Sequence, residues 1–401
     1  MLKKVDASQL LVGMYIHDLS CDWLTHPFVR NRFLIGSPNE IRKIHEANIR
    51  DVVIDTERGI DVAPAPVAVV VEEAPAEVAA PAVVTKVALV DELDRATQLR
   101  GQAASMVRNV MREARLGKAV ELELLSPMVE KITESVLRNP GALTGLLRNK
   151  GKDDYTYMHS VSVCTLLVAF CRTRGLDAET TYQAGLGGLL HDAGMALIPD
   201  MILNKAGPLS PAEFAMVRRH PISGYELLSK SADIGPIALE ITLHHHERMD
   251  GSGYPDQLAG DKIDELTQMA SIVDVYDAIT SDRVYRKGVS AGEALRQINE
   301  LSKTQFNPVL VRDFMRCVGI YPVGTMVLLE SGRLAVVVEP HETDLLSPKV
   351  NVFFNTKTKV YIKPEMVDLS RRLGFGGGDR IVRHESPSKW NVDPMKFMSV
   401  A

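Results

Sequence analysis

The sequence predicts a mainly α fold: a helical bundle with a small α+β domain before it and a small β-rich extension after it. Three observations predict this. Apolar residues recur at helical spacing from 122 to 318, the period changes to two beyond Gly319, and residues 62–84 consist only of eight Val, eight Ala, four Pro and three Glu. Proline removes backbone donors and such small side chains bury little, so 62–85 reads as an extended linker. A chain of 401 residues has room for two or three domains.

Residues 1–61 read as the small α+β domain. A strand is expected over 11–19, a helix over 39–48 (NEIRKIHEAN) with Ile41, Ile44 and His45 on one face, and a short strand over 52–55. His17, His26 and His45 are isolated there and read as plain core or surface residues. Residues 86–120 are charged and helical, a connecting helix with the look of a stalk. Residues 121–320 form the bundle, with helices expected over 154–172, 182–193, 211–228, 236–246 and 266–280. In the β-rich extension, 321–370, strands at 326–330 and 334–338 flank Ser331-Gly332, a hairpin signal, and two more are expected at 350–354 and 359–363. Residues 371–401 read as a flexible tail, because the glycine run at 374, 376, 377 and 378 lacks the following helix that a phosphate loop requires.

Composition excludes several classes. The net charge is −5 and no long basic tract occurs, which argues against duplex nucleic acid as a partner. No stretch reaches the roughly 20 uninterrupted apolar residues of a membrane helix. The short apolar run at 10–16 lies between Asp6 and Asp18 and makes a poor signal peptide. The four cysteines form no CxxC pair, consistent with a reduced cytoplasmic location.

The chemistry is concentrated in the bundle. Six of the eleven histidines fall between 159 and 246: His159, His191, His220, His244, His245 and His246. Asp192 follows His191 directly, and Asp274 lies within SIVDVYDAIT. A lone histidine in such a helix is ordinarily a core or surface residue, and 244–246 alone would fit a solvated helix end. Several apolar-flanked His and Asp residues on successive helices are harder to bury unpaired, at several kcal/mol each, and a metal removes that cost. Imidazole and carboxylate together suit Fe, Mn or Zn.

Three motifs carry a resemblance. His191-Asp192-Ala193-Gly194 resembles the HD pair of the HD phosphohydrolase superfamily. The run from His245 to Pro255, HHERMDGSGYP, resembles the HHExxDGxGYP signature of the HD-GYP subfamily, and VDVYDAI at 273–279 followed by SDRVYR at 281–286 resembles its closing motif. Residues 1–61 are similar to the small N-terminal domain of unknown function that often precedes such modules.

The resemblance implies an HD-type bundle and a cytoplasmic cyclic di-GMP phosphodiesterase that yields linear pGpG, with onward cleavage to GMP left open. By motif position, His159, His191, Asp192 and Asp274 would hold one divalent metal. His220, His245 and His246 would hold a second, with Asp192 bridging, and Fe or Mn are the expected ions. Metal-activated hydroxide would attack phosphorus, with Asp192 and His191 at the catalytic core. Arg283 and Arg286 match phosphate-contact positions. Asp277, three residues after Asp274, would orient a histidine N–H. His244 precedes the motif and is left out of the ligand set.

Two departures bear on this. Met195 stands where the family's HDxGK carries a lysine, and Met neither donates a hydrogen bond nor carries charge. Tyr155 stands four residues before His159, where some members have a third-metal glutamate, so two metals are expected and Tyr155 is placed beside the site. The implied partners are cyclic di-GMP and, through the GYP loop, diguanylate cyclase (GGDEF) proteins, and a homodimer is compatible. The alternatives are a weakly active or inactive cyclic di-GMP receptor signalling through its front domain, and a different HD chemistry.

Overall fold

A computed structural model of the chain describes residues 2–19, 32–36, 38–47, 49, 51–56, 58–60, 85–118, 120, 122–147, 155–203, 205, 207–231, 233–281, 287–341, 344–371 and 378–398. The chain divides into two compact units, Met1–Pro81 and Ala82–Ala401.

In the first unit, β1 (Leu2–Asp6), β2 (Tyr15–Asp18), β3 (Phe33–Leu34) and β4 (Asp51–Asp55) form an antiparallel sheet in the order β1-β4-β2-β3. Helix α1 (Pro38–Glu46) contributes Ile44 to a core with Val5, Met14, Ile16, Val52 and Ile54. Strand β1 was not expected, since only Val5 of its five residues is buried and no alternation marks it. His45 lies exposed rather than with Ile44. His26 and most of the 62–85 linker fall outside the described residues.

The second unit opens with α2 (Leu89–Arg115), followed by α3 (Leu122–Arg138), α4 (Pro140–Leu147), α5 (Tyr155–Thr173) and α6 (Ala178–Leu190). Then come α7 (Asp200–Leu203), α8 (Pro211–Val217), α9 (His220–Leu228), α10 (Pro236–His244), α11 (Glu265–Thr280), α12 (Ala291–Leu301) and α13 (Pro308–Val318). The expected stalk is a core helix instead. Leu93, Ala96, Leu99, Ala103, Val107, Met111 and Ala114 of α2 form a buried stripe in the main apolar cluster. Glu92, fully buried, takes a two-pronged ion pair from Arg138 at the end of α3 (2.7 and 2.9 Å).

The expected single helix over 211–228 is two. Pro221 has no N–H to give to the carbonyl of Val217, so the helix breaks at Arg218-Arg219 and restarts at His220.

Strands β5 (Met326–Leu329), β6 (Arg333–Glu339), β7 (Lys349–Asn355), β8 (Val360–Asp368) and β9 (Ile381–His384) form an antiparallel sheet in the order β8-β7-β6-β5-β9. The turn between β5 and β6 uses Gly332 at φ +82°, a conformation glycine adopts without strain. One face packs Val327, Ala335, Val337 and Val350 together. The other puts Met326, Leu334, Val336 and Phe353 into the helical cluster. The sheet is therefore part of the second unit's core.

The tail expected to be loose contains β9, paired with β5, and the short helix α14 (Pro387–Trp390). Its order comes from burial that period alone does not signal: Glu385 is 2% exposed and accepts from Trp390 Nε1 at 2.9 Å. Residues 372–377 of the glycine run lie outside the described residues. Among the described residues, no helix is long and apolar enough to cross a membrane. Cys164, Cys171 and Cys317 are free thiols.

Candidate metal centre

Three histidines of the centre sit where a helix ends or breaks, and each spends its Nδ1 proton on a carbonyl three or four residues earlier in the chain. His191 follows α6 and donates from Nδ1 to Gly188 O (2.8 Å). His220 donates to Val217 O (2.8 Å), the carbonyl freed by Pro221. His245 follows α10, with Nδ1 3.1 Å from Ile241 O and 3.0 Å from Thr242 O. All three therefore carry the tautomer whose Nε2 lone pair faces inward. His159 lies inside α5 and uses a side chain instead: its Nδ1 donates to Asp277 Oδ2 at 2.6 Å.

The inward atoms converge in two trios, His159/His191/Asp192 and His220/His245/His246, the candidate ligand atoms of each lying within 4.8 Å of one another. Asp192 stands between them. Its Oδ1 is 3.2 Å from His220 Nε2, while its Oδ2 is 3.4 Å from His191 Nε2 and 3.8 Å from His159 Nε2. Asp274 spans in the same way, with Oδ1 3.1 Å from His159 Nε2 and Oδ2 4.0 Å from His246 Nδ1.

The donor set fits metal ions. Among the described residues, His191 Nε2 is buried with no hydrogen-bond partner. His220 Nε2 and His245 Nε2 face each other at 3.2 Å although both Nδ1 protons are already committed to carbonyls. An added metal cation satisfies both lone pairs at once. A proton is disfavoured on two of these rings: burial and neighbouring imidazoles hold His245 well below its usual range, and burial pushes His246 down to about 3.

The carboxylates are ionised. Burial opposes this, but His191, His220 and His159 hold Asp192 below the ordinary range, and His159 does the same for Asp274. Burial also works against charge on His159, yet the hydrogen bonds to Asp274 and Asp277 push it up to about 9.

Two glycines allow the close approaches. A Cβ on Gly194 would lie 2.0 Å from His220 O, so only glycine lets the turn after Asp192 press against the start of α9. A Cβ on Gly253 would lie 2.5 Å from Glu247 Cα, which lets the 250–258 loop fold back over the His245-His246 turn. Glu247, 2% exposed, pins that loop by accepting from Asp256 N (2.7 Å) and Leu258 N (3.0 Å). Tyr254 then lies against His246, ring centroids 4.7 Å apart at 32°. Arg218 sits over the Tyr254 ring at 4.5 Å.

His244 is turned away from the trios, between Glu240 (2.6 Å) and Asp256 (2.9 Å). Met195 is half-buried in the turn Ala193–Leu197. Tyr155 opens α5 one turn before His159, and its side chain is not among those described. Arg283 and Arg286 lie outside the described residues.

Two supporting residues were not singled out from sequence. Glu247 lay inside the HHExxD motif with no role assigned to it. Ser271, whose hydroxyl donates to His245 O at 2.6 Å, stands three residues before Asp274, and that spacing was its signal.

A family model described as an HD domain matches residues 128–310, and one described as a domain of unknown function, DUF3391, matches residues 2–125. The chain is 44% identical over 400 residues to a Pseudomonas aeruginosa protein named cyclic di-GMP phosphodiesterase, covering 98% of this chain and 94% of that one. The chain belongs to the HD-GYP family.

Other relatives of this HD-GYP chain match over shorter spans. The Xanthomonas campestris protein named cyclic di-GMP phosphodiesterase response regulator RpfG is 32% identical over 220 residues, 55% of this chain and 56% of that one. A Vibrio cholerae protein named 3'3'-cGAMP-specific phosphodiesterase 1 is 36% identical over 145 residues, 36% of this chain and 33% of that one. The DUF3391 match to this HD-GYP chain runs through 125 and so includes α2, which packs in the second unit.

Proposed function

We propose that this HD-GYP protein is a cytoplasmic, metal-dependent phosphodiesterase that hydrolyses cyclic di-GMP to pGpG, with pGpG able to re-enter the centre for cleavage to GMP. The observation that carries the reading is Asp192, whose two oxygens each face a different histidine trio. Its full-length likeness to a protein named for that activity supports the substrate.

In this reading His159, His191, Asp192 and Asp274 hold one divalent ion, and His220, His245 and His246 share Asp192 with a second. When bound, such ions, iron or manganese for a mixed imidazole–carboxylate set, supply Lewis acidity toward a phosphoryl oxygen and lower the pKa of a water nucleophile. The rest is the work of the chain. The carbonyls of Gly188, Val217 and Ile241 fix the rings so that Nε2 faces inward. Asp277 orients His159 and raises its basicity. Asp192 and Asp274 bring the negative charge that keeps two cations close together. Arg283 and Arg286 are assigned to the substrate phosphate, and Tyr155 to the edge of the site. Docking of diguanylate cyclase (GGDEF) proteins on the GYP loop and pairing of two copies belong to the same proposal, and rest on the family resemblance.

The test is turnover of cyclic di-GMP and pGpG by anaerobically purified protein, stripped with chelator and reloaded with iron or manganese. Stripped protein should be inactive and reloaded protein should release pGpG. Metal-replete protein that binds cyclic di-GMP and leaves it intact would favour a receptor.

A further inference from the structure

We propose that Arg218 grips the second phosphodiester of the cyclic dinucleotide, the one that is not being cut. This deepens the substrate reading above and rests on it. A cyclic dinucleotide carries two anionic phosphodiesters in one ring. The scissile one faces the metal trios, and the other keeps its charge throughout and needs a separate partner once water is excluded.

Arg218 is placed to be that partner. It stands at the elbow between α8 and α9, two residues before His220, whose ring is fixed by Val217 O. The guanidinium lies 4.5 Å over the Tyr254 ring, and that ring lies 4.7 Å from the His246 ring. Tyr254 thus holds the cation beside the histidine trio without making it part of the trio.

The guanidinium is also unspent. Among the described residues the Arg218 guanidinium donates no hydrogen bond and forms no ion pair, and the residue is half-buried. The nearby Arg248 differs, since its Nη1 is committed to His245 O (3.2 Å) and Glu247 O (2.8 Å). With its carbon held over the ring, the guanidinium keeps N–H groups for a phosphate, which a guanidinium fork can grip by two oxygens at once. Helix α8 buries none of its seven residues, so packing of α8 does not account for the position of Arg218, whereas the ring contact does.

The test compares Arg218→Ala, Arg218→Lys and Arg219→Ala on two substrates, cyclic di-GMP and bis(4-nitrophenyl) phosphate, which has a single phosphodiester. Metal content and melting temperature are measured on each variant. Arg219 is exposed and serves as the neighbouring-charge control. Loss of one charge-assisted contact should raise the KM of Arg218→Ala for cyclic di-GMP about tenfold to a hundredfold. That rise should exceed any change with the nitrophenyl ester by at least a factor of about ten. Arg218→Lys should recover part of it, and Arg219→Ala should match wild type.

Equal losses on both substrates, or an unchanged KM for cyclic di-GMP, would overturn the assignment. Should Arg218→Ala fold poorly, Arg218→Lys decides it: a KM rise for cyclic di-GMP alone supports the contact, and parallel changes refute it. Wild-type protein that cleaves the ester but not cyclic di-GMP overturns the substrate reading and this assignment together.

Discussion

His220 and His245 face each other through their Nε2 atoms at 3.2 Å, each with its Nδ1 proton already given to a backbone carbonyl. Two lone pairs at that distance repel unless a cation lies between them. The sequence builds this directly. Pro221 breaks the helix and frees the carbonyl that fixes His220, and the last turn of α10 supplies the carbonyls that fix His245. Two rings of the second trio are thus oriented by backbone before any ion arrives.

Gly194→Ala should damage that trio first. The added methyl would meet His220 O at 2.0 Å and Gly224 N at 2.6 Å, backbone atoms that cannot swing aside. Overpacking of this kind costs about 1–3 kcal/mol. A lower melting temperature and loss of at least one ion per chain are expected, read by calorimetry and elemental analysis. Unchanged melting and metal content would show that α9 shifts freely.

Glu247→Gln should separate loop placement from metal binding. Both carboxylate oxygens accept backbone N–H groups, whereas glutamine offers one oxygen and turns an N–H₂ toward the second donor. Leaving that group unsatisfied costs about 1–3 kcal/mol. The variant should keep its metal and show a raised KM for cyclic di-GMP, because Tyr254 loses its fixed place. Wild-type KM would refute the pinning role.

Metal loading should release at least one proton per chain near neutral pH. His159 without metal is pushed up to about 9 by Asp274 and Asp277, so below that pH its Nε2 carries a proton an ion must displace. Affinity should therefore rise with pH, by about tenfold per unit for one competing proton, and level off above about 9. Titration calorimetry in buffers of different ionisation heat measures the release, and its absence would contradict the role of His159.

A chain beginning at Lys86 should retain metal and turnover, and one beginning after α2 should not fold. Val87 N donates to Arg138 O (3.1 Å), and α2 fills the core with Leu93, Leu99 and Val107. Each such side chain contributes about 1.5–3 kcal/mol of burial. Circular dichroism and cyclic di-GMP assays check both, and a folded but inactive chain from Lys86 would show that residues 1–85 take part in the chemistry.

The convergence of the candidate ligands was legible because the motifs put His159 and Asp274 within helices and His191, Asp192, His220, His245 and His246 at helix ends. Helix α2 was harder to read, since its buried stripe is half alanine and hidden among charges. Strand β9 was missed because two of its four residues are exposed and its order comes from pairing with β5. That Asp274 spans both trios, as Asp192 does, was also invisible, because spacing shows which residue faces the site and not where its two oxygens point.

The shared carboxylate is tested most directly by elemental analysis of anaerobically prepared protein beside its Asp192→Ala variant, with turnover of cyclic di-GMP measured on the same samples. Two ions per chain are expected in the wild type, and in the variant a loss of more than one ion together with all hydrolysis, because Asp192 faces both trios. Three ions in the wild type, or a variant that keeps both ions and near-normal turnover, would contradict the account.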